Sequence, residues 1–246
     1  MSEFLALHDI ICRMRAAQAP RDVWKLVVDS FHARGIEKIS YHRYQTPLTS
    51  DDETSSIRVI ADGFSSDWVC HYIEAKLFLV DPIPGYARLA ATPFFWSDIP
   101  KLTRIGEVEN AYLKEMEEAN LGDGIAFQVF GPAMNNAYVG LGFAQGTPRP
   151  SPTEIAELQC IAQTAHIRVC ELQLMDFETR FELSRRELEI LRWIARGKSN
   201  SVIADILEVS HHTVDTHVRR VFDKLGVTDR TSAALRGVGS GLILPP

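Results

Sequence analysis

Residues 183–243, LSRRELEILRWIARGKSNSVIADILEVSHHTVDTHVRRVFDKLGVTDRTSAALRGVGSGLI, hold four short helical periods separated by brief polar turns. Ser184-Arg185-Arg186-Glu187 is an S-x-x-E capping box, whose hydroxyl and carboxylate each take up a backbone N–H of the first turn. It leads through Leu188, Leu191, Ile194 and Ala195 to a stop at Gly197. Ser199 opens a short helix with Ile203, Ala204 and Leu207 inward, and Ser210 opens a third with Val214, Val218, Val221, Phe222 and Leu225. Gly226 ends that helix and Asp229 begins a fourth. The second and third helices, parted by Glu208-Val209, have the proportions of a helix-turn-helix. Its second element is expected in a DNA major groove, with early residues at base edges. Asp215, Thr216, Arg219 and Arg220 lie off the apolar stripe, where a guanidinium can fork onto guanine and add about 1–3 kcal/mol of discrimination. Lys198, Ser199, Asn200 and Thr213 suit phosphate oxygens.

The whole chain first argues the other way. It has 246 residues, 46% hydrophobic and 24% charged, with a net charge of −6, whereas phosphate binding needs surplus Lys and Arg. The charge is unevenly spread: residues 1–175 carry 15 Lys and Arg against 22 Asp and Glu, but 176–246 carry 11 against 10. DNA binding therefore stays open for the tail alone. The composition excludes disordered, collagenous and disulfide-built chains, and the length suits two domains. Cys12, Cys70, Cys160 and Cys170 show no metal spacing and are expected as buried thiols of a reducing cytoplasm. The acidic start predicts no export signal, and no run of 18 apolar residues predicts a membrane span.

The front part mixes periods of 3.6 and 2. Residues 21–33 place Val23, Leu26, Val27 and Phe31 on a helical stripe; 36–44 and 56–61 read as strands around the polar loop TPLTSDDETS. Residues 65–78 are expected as a Ser-capped helix closed by Asp81-Pro82, and 107–119 as another. Residues 124–130 and 137–144 are strand-like runs across a turn, which makes the region α+β. Ser151, Pro152 and Glu154 then start a helix to about Phe177. Its stripe of Ile155, Leu158, Ile161, Ala162, Ala165, Val169 and Leu172 either packs on the sheet or pairs with a second copy.

Over its whole length the tail resembles the LuxR-type helix-turn-helix, with Glu187, Leu191, Gly197, Thr213, Val214, His217 and the run KLGV at that family's spacing. The resemblance implies that Asp215, Thr216 and Arg219 face bases. A phosphorylated receiver in front is unsuited, because Asp51-Asp52-Glu53 sits in a polar loop rather than at the end of an apolar strand. The front part is instead similar to the acyl-homoserine-lactone-binding domain of quorum-sensing LuxR-type regulators, through Trp68, Tyr72, Asp81, Trp96 and Gly124. The implied fold is an N-terminal α-β-α sandwich around an antiparallel sheet, followed by an all-α four-helix helix-turn-helix domain. Expected boundaries are 1–175 for ligand binding and dimerisation, 176–182 for a linker and 183–246 for DNA.

An amide-bearing lactone needs an acceptor and a donor in an apolar pocket. Asp81 can accept from the amide N–H and the Trp68 indole can donate to the lactone carbonyl, while Tyr72 and Trp96 wall the site. Two positions depart from the family. Phe64 stands where a Tyr commonly bonds the acyl carbonyl, and Ala126 where a Ser or Thr donor is expected. Losing one such bond costs about 0.5–1.5 kcal/mol, and a less polar pocket suits an aryl or branched acyl group. The resemblance further implies a homodimer through helix 152–177, a palindromic operator in double-stranded DNA, contact with RNA polymerase, and no cofactor, metal or membrane. The alternatives are an orphan or ligand-independent regulator, or an enzyme. No GxSxG, HExxH or P-loop motif supports catalysis, and Gly237–Gly241 follows a helix too near the end to be a dinucleotide loop.

Overall fold

Residues 6–44, 57–132, 135–177 and 182–244 are described by a computed structural model. The acidic triplet Asp51-Asp52-Glu53 and residues 178–181 of the expected linker lie outside the described residues.

The chain divides into two compact units. The first opens with α1 (Leu7–Ala16), which the periodicity of the sequence did not suggest, and α2 (Pro20–His32), which buries Val23, Val27 and Phe31 at successive turns. Strands β1 (Ile36–Tyr44) and β2 (Ile57–Asp62) precede α3 (Ser66–Glu74), whose Ser65 cap accepts from the Trp68 N–H. Here the expectation needs correcting. Helix α3 ends at Glu74, Lys76 turns left-handed at φ 53°, and Leu77–Leu79 form a 3-10 turn. Asp81 does not close that helix but opens α4 (Pro82–Ala87), its carboxylate accepting from the Ile83 N–H. The residue before a proline must be extended, which suits an N-cap as well as a helix end. The two-residue β3 (Phe94–Phe95), a 3-10 turn at Trp96–Asp98, α5 (Ile99–Leu102) and α6 (Glu107–Glu118) follow, then β4 (Gly124–Val129), β5 (Ala137–Phe143) and α7 (Pro152–Phe177).

The five strands run in the order β2-β1-β5-β4-β3, with β1·β5, β5·β4 and β4·β3 antiparallel. Side chains alternate across the sheet. One face turns to α7, where the Tyr41 hydroxyl meets His166 Nδ1 at 2.8 Å, and Arg34 after α2 pairs with Glu157 on α7. The other face, carrying His42, turns to Tyr72 of α3. The result is a sheet between two helical layers. Leu158, Ile161, Ala162 and Ala165 of α7 are buried within the one chain, so the inner stripe of this helix packs on the sheet. The cysteines also need correcting: only Cys170 is buried, Cys160 is half-buried, and Cys12 and Cys70 are exposed.

The second unit takes the end of α7 from Cys170, and contains α8 (Arg185–Ala195), α9 (Asn200–Leu207), α10 (His211–Leu225) and α11 (Arg230–Gly239). All four caps inferred from the sequence form: Ser184 with the reciprocal Glu187 bond, Ser199, Ser210 and Asp229. Ile190, Ile194, Ile203, Val214 and Val218 build one core, and Leu191, Val221, Leu225 and Ala233 a second. The turn between α9 and α10 reverses through Glu208, left-handed at φ 52°.

Candidate functional site

A cavity of about 60 Å³ opens between the sheet and its second helical layer. Ser40 and His42 of β1, Val59 and Ala61 of β2 and Tyr138 of β5 supply its sheet wall. Trp68 and Tyr72 of α3 and Tyr112 and Met116 of α6 supply the helical wall, closed by Phe64, Asp81 and Trp96. The rings pack at tilted and edge-on angles, with Tyr72 and Tyr112 centroids 6.3 Å apart and Trp68 and Tyr112 6.5 Å apart.

Asp81 is the acidic group of this pocket, and each of its oxygens is engaged. Oδ1 accepts from the Ile83 N–H at 2.9 Å; Oδ2 accepts from the Tyr72 hydroxyl at 3.1 Å and the Tyr112 hydroxyl at 3.0 Å. Burial pushes its pKa up to about 6, against the pull of these three hydrogen bonds. The Tyr112 hydroxyl is held protonated by burial and by the neighbouring carboxylate. His42 is buried at 4% exposure, which drives its pKa down to about 4 and keeps the imidazole neutral.

Of the residues inferred from the sequence, Phe64, Trp68, Tyr72, Asp81 and Trp96 converge on this cavity. Gly124 acts underneath it: a Cβ there would come within 2.6 Å of Trp96 Cε2 and 2.7 Å of the Leu141 carbonyl, so the glycine seats the indole. Gly142, paired with Gly124, extends the same bed. Ala126 is fully buried in β4, paired with Gly140 and Phe94. The Trp96 indole N–H has no partner among the described residues. Sequence reasoning missed His42, Ser40, Tyr112 and Tyr138. The signals were there: Ser40 and His42 share one phase of β1, and Tyr112 and Met116 are four apart on α6.

On the helix-turn-helix, Arg219 and Arg220 are exposed on α10, and neither guanidinium has a partner among the described residues. Lys198 is also exposed. Asp215 is differently placed: it accepts from Asn200 Nδ2 at 2.7 Å and lies 3.0 Å from His211 Nδ1. Asn200 in turn accepts from Arg230 Nη1 at 2.9 Å, and Arg230 also donates to the Lys198 carbonyl. Asn200 and Asp215 therefore hold α9, α10 and α11 together. The Thr216 hydroxyl donates to the His212 carbonyl at 3.0 Å, Thr213 Oγ1 meets Ser210 Oγ at 2.8 Å, and Ser199 caps α9.

Residues 19–169 match the family profile of the autoinducer binding domain, and residues 182–236 that of the bacterial regulatory proteins of the luxR family. The chain belongs to the LuxR family. It is 31% identical to the y4qH protein of Sinorhizobium fredii over 80% of its own length, spanning 62% of that relative. It is 28% identical to RpaR, a quorum sensing-dependent transcriptional regulator of Rhodopseudomonas palustris, over 75% of this chain and 74% of the relative. Among solved structures, Escherichia coli SdiA superposes with a TM-score of 0.73 at 19% identity, covering 97% of this chain and 98% of that one. LuxR-family chains such as this one are transcriptional regulators with a DNA-binding helix-turn-helix and a small-molecule autoinducer domain, not enzymes. Among the described residues no helix is long and apolar enough to cross a membrane, and no group of three or more His, Cys, Asp or Glu could hold a metal ion.

Proposed function

We propose that this chain is a cytoplasmic quorum-sensing regulator that binds an acyl-homoserine lactone and, as a homodimer, a palindromic promoter site, where it meets RNA polymerase. The observation that carries the proposal is Asp81, a half-buried carboxylate held by two tyrosine hydroxyls and facing a cavity in a chain that also bears a helix-turn-helix. Such a carboxylate accepts the amide N–H of an acyl-homoserine lactone, while the Trp68 indole donates to the lactone carbonyl. Phe64 offers no hydrogen bond to the acyl carbonyl, which supports an aryl or branched acyl group.

The cavity is far smaller than the roughly 300–1,000 Å³ that encloses drug-sized ligands. Binding therefore moves the side chains that wall it and couples occupancy to the stability of residues 1–175. Residues 176–182 link this part to the DNA-binding residues 183–246. Because the inner stripe of α7 is spent on the sheet, the outer face of that helix pairs the two copies. Arg219 and Arg220, with Thr216, then meet bases, and Lys198 and Ser199 meet phosphates. Protein expressed with and without lactone-containing extracts, then analysed by mass spectrometry for retained small molecules, tests the proposal. A homoserine lactone is expected to co-purify; a ligand-free protein with unchanged solubility and operator binding in both cases would overturn it.

A further inference from the structure

The pocket has two polar poles. Asp81 with Tyr72 and Tyr112 forms the first, on the helical side. The second lies on the sheet and has no role in the recognition described above. His42 is buried against the Tyr138 ring, with centroids 4.9 Å apart and edge-on, and beside the Tyr72 ring at 6.2 Å. Its imidazole lines the cavity, and its ring nitrogens have no hydrogen-bond partner among the described residues.

Two hydroxyls gather next to it. A Cβ on Gly140 would fall 2.3 Å from Tyr138 Oη and 2.5 Å from Ser40 Oγ, so both converge over the bare backbone of Gly140. Gly140 is thus the space that lets these groups face the cavity together. A neutral imidazole carries one N–H donor and one bare nitrogen acceptor, and at the cavity wall both can meet a group that enters it. Phe64, at the same cavity, contributes only apolar surface.

We propose that His42, with Ser40 and Tyr138 beside it, is a specificity-determining group that reads a hydroxyl or keto oxygen carried on the acyl group of the ligand. This rests on the lactone assignment above and adds to it an oxygen substituent on the acyl group. The pairing is mutual: a ligand hydroxyl can give its proton to the bare nitrogen, and a keto oxygen can accept from the N–H. An unsubstituted acyl group strands both.

The test is a binding series on the full chain with octanoyl-, 3-oxooctanoyl-, 3-hydroxyoctanoyl-, cinnamoyl- and 4-hydroxycinnamoyl-homoserine lactone. For the wild type, at least one oxygenated member is expected to bind about tenfold tighter than its unsubstituted counterpart. His42→Phe keeps the ring packing but removes both nitrogens, and is expected to reduce that ratio to within about twofold while leaving the unsubstituted lactone bound. Equal affinities within every pair, or a ratio unchanged in His42→Phe, would overturn the role of His42 and leave the lactone assignment standing. Binding of no member of the series would remove both. If His42→Phe fails to fold, ring-nitrogen NMR of wild-type protein labelled at histidine decides: the His42 signals shift with the preferred oxygenated lactone and not with its bare counterpart. Identical shifts with both would count against the proposal.

Discussion

Asp81 and His42 line one cavity, and burial moves their titrations in opposite directions. Asp81, raised to about 6, keeps its proton in the folded protein where the unfolded chain has lost it. Its contribution is therefore fully present below about pH 4 and is lost as pH rises through about 6. His42, lowered to about 4, works the other way: it costs stability as pH falls from about 6.5, where the unfolded histidine takes up a proton. The two partly cancel, so the Asp81 effect is visible only by difference. Asp81→Asn is expected to remove a stability change of up to roughly 3 kcal/mol between pH 4 and 6.5, measured as urea midpoints against the wild type. In the proposed complex the lactone amide donates to the ionised carboxylate, so wild-type affinity should rise from pH 5 to 7 and that of Asp81→Asn should stay flat. At Gly124 the constraint is steric. The new methyl of Gly124→Ala would press on Trp96 and on the Leu141 backbone, neither of which can retreat freely, and thermal melts should show a loss of about 1–3 kcal/mol.

At the scale of elements, the four helices of the tail were legible because each carries its own start and stop: a hydroxyl or carboxylate cap, an apolar stripe, and Gly197 or Gly226. Helices α1, α4 and α5 were not. Helix α1 lacks a side-chain cap, and α4 and α5 are too short to show a period. The pocket was half legible. Residues that differ chemically from an apolar background, such as Asp81 and the tryptophans, stood out. The partners that arrive from the sheet did not, because spacing along the chain carries no information about strand order or register. Asp215 marks the same limit, since its outward position on α10 says nothing about Asn200 arriving from α9. Lys224 Nζ lies 2.8 Å from the buried Glu187 carboxylate, linking α10 to α8. Burial opposes the charge of Glu187, but Lys224 and the Ser184 cap outweigh it and hold its pKa low. Lys224→Met should cost about 2–3 kcal/mol by urea unfolding at neutral pH, discounted for the exposure of the lysine, and the deficit should shrink as Glu187 protonates in acid. Arg219→Ala should relax specificity at one base position, read by competition binding across single-base operator variants. An equal loss on every sequence would place this side chain on phosphate.

At the scale of the molecule, a net charge of −6 conceals a tail near neutrality, so in the proposed homodimer base contacts and pairing of two copies would supply affinity that a basic surface supplies elsewhere. Ligand binding stabilises the folded state by mass action, about 2.7 kcal/mol at a hundredfold excess over Kd. Differential scanning should then show the sensing domain melting roughly 5–10 °C higher with saturating lactone. The walls of the pocket come from residues as far apart as Ser40 and Tyr138, so no shorter stretch can assemble them. Signal capture consequently waits on synthesis: a nascent chain cannot hold its ligand until β5 has left the ribosome and paired with β1. A ligand bound only by the completed pocket makes its contacts on the native side of the folding barrier. The autoinducer should thus leave the folding rate almost untouched and act by slowing escape from the native state, making the lifetime of the receptor, more than its production, the quantity that the signal sets.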